Sequence, residues 1–227
     1  MSPSPHAESF ASWDSTDAER VRRIRERFLR GDDDGLAGLR EIVRSSWLRS
    51  REHAVDPHIA AAPIVGPQAQ PPATREHVSL HAAAAPVLRF LGAAFDRALV
   101  LLSDPQCRPI EVGGGGPALD QATQINVVLG SQWSEDRVGT DALALATLLG
   151  EPVQIHWSEH YGDLGQRWSG SAAPIRRGGA LLGTLSVYGY DELAHPRALE
   201  LVSHSAALIE TRIAEHDLRA QVALLES

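Results

Sequence analysis

Apolar residues recur at helical spacing through the first fifty residues of the chain. A capping box at residues 16–19 precedes Val21, Ile24 and Phe28, which share one helical stripe that ends at Gly31. A second apolar stripe starts near Asp34 and stops before the Asp-Pro pair at residues 56–57, because a residue that precedes proline avoids helical backbone angles. The pattern therefore predicts an N-terminal helical arm over residues 1–56.

The pattern changes at residue 57. Residues 57–73 contain five prolines separated mostly by small residues, a composition typical of an extended connector. We therefore expect a Pro-rich linker between the arm and a main domain at residues 74–227.

The main domain alternates between helical and strand periodicity. Two short apolar runs around a turn at residues 104–106 predict a β-hairpin, and a second pair of strands is joined by two glycines. The spacing favours an α+β fold, in which an antiparallel sheet is flanked by helices. The predicted helices cover residues 74–95, 117–128 and 140–149, with a further one starting at Pro196, and the later strands cover residues 152–156, 171–177 and 181–188.

The long C-terminal helix carries an apolar seam. Its members are spaced by three and four residues, as in a heptad repeat: Leu199, Val202, Ala206, Ile209 and Ile213. Such a seam packs either on the sheet of its own domain or on a second copy of the chain, and the spacing leaves both interpretations open.

Composition narrows the function classes. The 227-residue chain is 43% hydrophobic and carries a formal charge of -8, and all of its 21 basic residues are arginines. An acidic balance disfavours attraction to nucleic acid phosphates. The single cysteine, Cys107, excludes an intramolecular disulfide, and no apolar run reaches the ~20 residues of a membrane span. We expect a cytoplasmic protein without a membrane contact.

Two Trp-containing runs suggest a pocket. Residues 133–142 and 168–175 mix tryptophan, glycine and short polar residues between apolar segments. Large rings that exclude water, together with a few polar groups that fix an orientation, are typical of small-molecule sites. The sequence thus predicts a binding site for a small organic molecule.

In its motifs the chain resembles a known family, the sensory GAF domain found in bacterial transcription activators of the acetoin and dihydroxyacetone catabolism type. The likeness covers roughly residues 42–210. It rests on four motifs in matching order and a continuation: SWLRS and VDP at residues 46–50 and 55–57, WSE and GTDA at 133–135 and 139–142, PVQIH and EH at 152–156 and 159–160, Trp168 with SAAPI at 171–175, and LLGTL at 181–185.

The resemblance implies a sensory role, dimerisation through terminal helices and DNA binding only through a domain outside this chain. From it we expect a homodimer that binds an unknown small organic effector, with ligand contacts from Trp133, Glu135, Thr140, Asp141, His156, His160, Trp168 and Ser171. The alternative is a dimerisation or interaction module with a collapsed pocket and no ligand.

Two positions depart from the family pattern. The family usually has Asn in place of Asp141 and Cys in place of Gly170. Loss of that thiol favours noncovalent recognition, and the carboxylate of Asp141 shifts the expected ligand preference away from anions.

Catalysis has little support in the sequence. His156 and His160 match the spacing of an inverted zinc-peptidase motif, but that motif needs one helix, and His156 ends a predicted strand. Cys107 lies at a hairpin turn away from the motifs, so it is a poor candidate nucleophile. We therefore expect no metal, no cofactor and no enzymatic activity.

Overall fold

A computed structural model describes residues 15–65, 75–95, 97–190 and 193–225. The helices there are α1 (Ser15–Leu29), α2 (Glu41–Glu52), α3 (Arg75–Ala94), α4 (Gly116–Gln124), α5 (Glu135–Val138), α6 (Ala142–Leu149) and α7 (Pro196–Leu225). The strands are β1 (Leu99–Ser103), β2 (Pro109–Gly114), β3 (Val153–His156), β4 (Ser169–Arg177) and β5 (Ala180–Gly189).

The strands form one antiparallel sheet in the order β2-β1-β5-β4-β3. β1 and β2 make the predicted hairpin, and β4 and β5 are joined by Gly178 and Gly179, which both have positive φ. Helices cover the sheet, and the long helix α7 closes the described chain. The predicted α+β class with its antiparallel sheet is confirmed.

Alternation along the strands separates two apolar cores. On β1, Leu99 and Leu101 belong to the core shared with the arm and α6, whereas Val100 and Leu102 belong to the core under α3 and α7. Successive side chains of a strand point to opposite faces, which explains the division. The molecule thus has α3 and α7 on one face of the sheet, and α4, α6 and the arm on the other.

The arm is part of the first core. The ring of Phe28 on α1 stacks on that of Trp47 on α2 with centroids 5.5 Å apart, and both are buried together with Leu143 of α6. Residues 57–65 are not a free connector, because Pro63 accepts a hydrogen bond from Gln132 and Ile64 pairs with Ser131. The rest of the predicted linker, and residues 1–14, lie outside the described residues. The division of the chain at residues 56 and 73 stays a prediction.

Two predicted helices differ in length. The second helix starts at Glu41 rather than near Asp34, because the glycines at 35 and 38 favour only a 3-10 turn before it. The helix predicted over residues 117–128 ends at Gln124, and Asn126 then adopts a left-handed φ of 61°.

The seam of α7 covers the sheet of its own domain. Val202, Ala206, Ile209 and Ile213 are all buried in the second core. Beyond Ile213 the helix continues to Leu225 with exposed side chains. Within the described part of the chain, none of the helices has the length and apolar character needed to cross a membrane.

Candidate functional site

An enclosed cavity lies between the first face of the sheet and the segment that connects β3 to β4. Its free volume is about 20 Å³, well below the several hundred Å³ of a typical small-molecule site. The wall is mostly aliphatic and aromatic, and the side chains of Asp141, His160 and Tyr188 add a carboxylate, an imidazole and a hydroxyl. It is formed by Leu99, Leu101, Ile125, Val127, Trp133, Asp141, Leu143, His160, Leu164, Gly165, Trp168 and Tyr188.

Asp141 is the acidic residue of the cavity and caps α6. Its Oδ1 accepts a hydrogen bond from the backbone N–H of Leu143 at 2.9 Å and another from the hydroxyl of Tyr188 at 2.7 Å. Burial, and then the charge of Asp141, raise the pKa of Tyr188 well above its usual value, so this hydroxyl remains a donor. Oδ1 is therefore satisfied, while Oδ2 faces His160.

His160 brings an unpaired nitrogen into the same cavity. Its Nδ1 lies 2.9 Å from the carbonyl oxygen of Trp157, and since a carbonyl only accepts, Nδ1 carries the proton. Nε2 is buried, has no hydrogen-bond partner and lies 3.6 Å from Oδ2 of Asp141, beyond hydrogen-bond distance. In the neutral ring, two acceptors thus face each other across the cavity.

Local backbone geometry places the His160 ring. After β3 the chain turns sharply at Trp157, whose φ of 33° is unusual for a bulky residue. Gly165 lies directly against the ring: a Cβ there would be 2.4 Å from Cγ of His160. Only glycine lets the ring take this position.

Tyr188 depends on a glycine in the same way. A Cβ on Gly170 would be 2.5 Å from the Tyr188 ring. The residue that stands where the resembling family has cysteine therefore makes room for the tyrosine that holds Asp141.

The arm fixes the segment that carries His160. The indole N–H of Trp47 donates to the carbonyl of Glu159, and Arg40 forms a two-point ion pair with the Glu159 carboxylate. Arg25, itself buried, donates to the carbonyl of Tyr161. A change in the arm would thus be transmitted to either side of His160.

Glu135 and Thr140 belong to a separate polar cluster that joins α2 to α5. Arg49 binds both carboxylate oxygens of Glu135 at 2.7 and 2.8 Å, and the hydroxyl of Ser46 donates to Oε1 at 2.5 Å. Ser46 also lies 2.7 Å from the hydroxyl of Thr140, which acts as the donor because Ser46 has already given its proton. The cluster borders a wide surface groove of about 710 Å³ rather than the enclosed cavity.

Ser171 and His156 lie on the other side of the sheet from the cavity. The Ser171 hydroxyl accepts from Gln154, which also donates to the carbonyl of Leu193 in the second core. His156 is next to Ser169 and buried, and burial lowers its pKa to about 3, with the charge of Arg40 adding to the shift. This ring is therefore neutral at ordinary pH.

Four of the eight predicted site residues thus meet at the cavity: Trp133, Asp141, His160 and Trp168. Their role in binding a ligand stays a prediction. Sequence reasoning missed Tyr188, although the signal was present, because strand pairing places it opposite Gly170 and only a residue without a side chain fits there.

The single thiol, Cys107, is not set up for nucleophilic chemistry. Burial raises the pKa of the Cys107 thiol to about 12, which removes the thiolate that a nucleophile requires. Within residues 15–65, 75–95, 97–190 and 193–225, no three His, Cys, Asp or Glu side chains converge as metal ligands.

Comparison with known proteins agrees with this architecture. The model of the GAF domain family matches residues 76–213. The "Uncharacterized 47.3 kDa protein in thcA 5'region" of Rhodococcus erythropolis is 35% identical over 193 residues, which are 82% of this chain and 44% of that protein. The acetoin dehydrogenase operon transcriptional activator AcoR of Bacillus subtilis is 30% identical over 204 residues, 88% of this chain and 34% of that protein.

The chain therefore spans less than half the length of these relatives. Among solved structures, the E. coli DhaR(N)-DhaL complex contains a chain that aligns with a TM-score of 0.74 and 18% identity, covering 80% of this chain and 63% of that one. At that identity the likeness shows the fold alone.

Proposed function

Because this chain belongs to the GAF domain family, we propose that it is the sensory module of a bacterial transcription regulator and binds a small organic effector noncovalently in the enclosed cavity. The motif-based resemblance to sensory domains of activators agrees with the family match. The observation that carries the proposal is the buried Nε2 of His160, which has no hydrogen-bond partner and faces the Asp141 carboxylate in a mostly apolar cavity. A buried polar group without a partner is costly, so it calls for a bound molecule.

The effector would act by favouring one arrangement of the module over another. The cavity has room for little more than a water molecule, so a larger effector has to displace its wall. Residues 157–165 form part of that wall and are held by α1 and α2 through Arg25, Arg40 and Trp47. Binding that moves the segment would therefore shift the arm, provided that the effector has different affinities for the two arrangements.

We further propose that the module works as a homodimer. The part of α7 beyond Ile213 spans about three turns and exposes Leu218, Val222 and Leu225 at spacings of four and three. A second copy would bury this stripe as in a coiled coil. The double substitution Leu218→Asp/Val222→Asp is expected to give a monomer in light-scattering measurements, and an unchanged mass would contradict this interface.

The effector proposal is tested with a thermal-shift screen of small alcohols, ketones, diols, amines and acids. A compound at 100 times its dissociation constant stabilises the fold by about 2.7 kcal/mol. The control variant Leu101→Phe fills the cavity from the β1 side and should lose the stabilisation. Compounds that stabilise both proteins equally bind elsewhere and would contradict the proposal.

The small cavity also favours a second candidate function, an interaction module without a ligand. Its free volume of about 20 Å³ is what a collapsed pocket would leave. The structural neighbour from E. coli was itself solved in complex with another protein, DhaL. If no compound in the screen stabilises the chain, this candidate replaces effector binding.

A further inference from the structure

The polar pair in the cavity also indicates what chemical group it receives. We infer that His160 and Asp141 bind the head group of a small primary amine, whose nitrogen donates one hydrogen bond to Nε2 of His160 and another to Oδ2 of Asp141. The inference rests on the proposed effector function and specifies its ligand class.

The free hydrogen-bond acceptors in the cavity match an amine better than a hydroxyl. Nδ1–H of His160 is used on the Trp157 carbonyl, so Nε2 of the neutral ring only accepts. The carboxylate of Asp141 also only accepts, and its Oδ1 is already bound by Leu143 and Tyr188. A hydroxyl has one proton and serves one of the two free acceptors, whereas an ammonium nitrogen serves both.

The distance between Nε2 of His160 and Oδ2 of Asp141 fits a single bridging nitrogen. The two acceptors are 3.6 Å apart, so one nitrogen about 2.9 Å from each can bridge them. Widening the pair by about 1 Å brings the angle at that nitrogen to the tetrahedral value with the same bond lengths. Ligand binding would then push His160, and with it the segment held by the arm, away from α6.

The charge at the site favours a cation. Among the described residues, no arginine lines the cavity, and the chain contains no lysine. The side chain of Asp141 is buried, its Oδ1 accepts hydrogen bonds from Leu143 and Tyr188, and its Oδ2 faces the Nε2 lone pair of the neutral His160 ring. Buried charges are normally paired, and a cation completes this one, whereas an anionic ligand would meet both a carboxylate and a lone pair.

The test compares three probes of similar size: ethylammonium, ethanol and acetate, titrated at constant ionic strength. The readout is the NMR signal of the indole N–H groups of Trp133 and Trp168, which line the cavity. Charge-assisted hydrogen bonds are roughly twice as strong as neutral ones. We expect ethylammonium to bind about tenfold more tightly than ethanol, and acetate to give no saturable shift.

Two variants make the result specific. In Asp141→Asn, the amide oxygen still accepts from Leu143 and Tyr188, and the amide nitrogen donates to Nε2 of His160, so the preference for ethylammonium should disappear. In His160→Asn, the side-chain nitrogen can still donate to Trp157 while the Nε2 acceptor is gone, so the ratio of ethylammonium to ethanol affinity should fall.

The ring state is a second, independent readout. Imidazole ¹⁵N shifts of the ligand-free protein should show that the proton of the His160 ring is on Nδ1 and that Nε2 is bare. An imidazolium would donate to Asp141 itself and would overturn the inference.

The amine assignment and the proposed effector binding can be refuted separately. Saturable binding of ethanol or acetate at Trp133 and Trp168 without binding of ethylammonium refutes the amine assignment and leaves effector binding intact. If none of the probes shifts these signals, the amine assignment is refuted. If, in addition, no compound in the thermal-shift screen stabilises the chain, effector binding is refuted as well.

Discussion

Glu135 and Asp141 are two buried carboxylates of one sequence motif, and they differ in how completely they are paired. Arg49 and Ser46 occupy both oxygens of Glu135. Asp141 has two donors on Oδ1, while Oδ2 faces the unpaired nitrogen of His160. A fully paired buried group specifies the fold, whereas a half-paired one is costly unless something else completes it. Glu135 thus holds the arm, whereas Asp141 keeps an oxygen that the proposed ligand would complete.

The largest expected effect comes from removing the paired carboxylate. Glu135→Ala leaves Arg49 and Ser46 without their acceptor, and because Arg49 is one-third exposed we expect a loss of about 2–3 kcal/mol in unfolding free energy rather than the full value of a buried pair. Urea unfolding measures it. Asp136→Ala, at an exposed neighbour, is the control and should change stability by less than about 0.5 kcal/mol. Equal losses in the two variants would remove Glu135 from its structural role.

The position of the His160 ring is tested through Gly165. Gly165→Ala places a Cβ 2.4 Å from Cγ of His160, so the ring has to move, and we expect a loss of about 2 kcal/mol together with the loss of ethylammonium binding. Gly92→Ala on α3 has no atom within 4 Å of the new Cβ and should instead stabilise by about 0.5–1 kcal/mol. A tolerated Gly165→Ala that retains binding would show that the ring position is not needed.

His156 makes the stability of the fold depend on pH. Its folded pKa of about 3 is below the usual 6.5, so between these values the unfolded chain binds a proton that the folded chain does not. Stability from this group is complete above about pH 6.5 and falls by about 1.4 kcal/mol per pH unit as the pH decreases toward 3. In His156→Gln, the unfolding free energy should fall less steeply between pH 6.5 and 5, by about 1.4 kcal/mol per pH unit. The same slope in both proteins would mean that His156 titrates normally.

The antiparallel sheet follows from sequence patterns, but the set of residues that line the cavity does not. The alternation on β4 and β5, with paired glycines between them, predicts the hairpin that is found. The motif at residues 168–175 predicts that Ser171 belongs to the site, yet strand alternation turns its side chain to the face opposite that of Gly170. Parity depends on which face meets α6, and only the packed structure decides that.

The packing of the arm on the domain could not be predicted from the sequence either. The run of residues from 57 to 73 has the composition of a linker, but Pro63 and Ile64 pair with Gln132 and Ser131 and bring the arm onto the domain. The sequence predicts Glu135 as a pocket residue, in the same motif as Trp133 and Thr140. Its partner Arg49 is 86 positions away in the chain, a distance at which no local pattern predicts pairing.

The most direct test of the account is to change each carboxylate into its amide and compare unfolding free energies. Glu135→Gln weakens the contact with Arg49 and should cost about 2 kcal/mol. Asp141→Asn preserves the cap of α6 and supplies a donor to Nε2 of His160, so it should leave stability unchanged or higher. If Asp141→Asn lowers the unfolding free energy as much as Glu135→Gln does, the account is contradicted. The charge of Asp141 would then stabilise the fold instead of serving to bind a ligand.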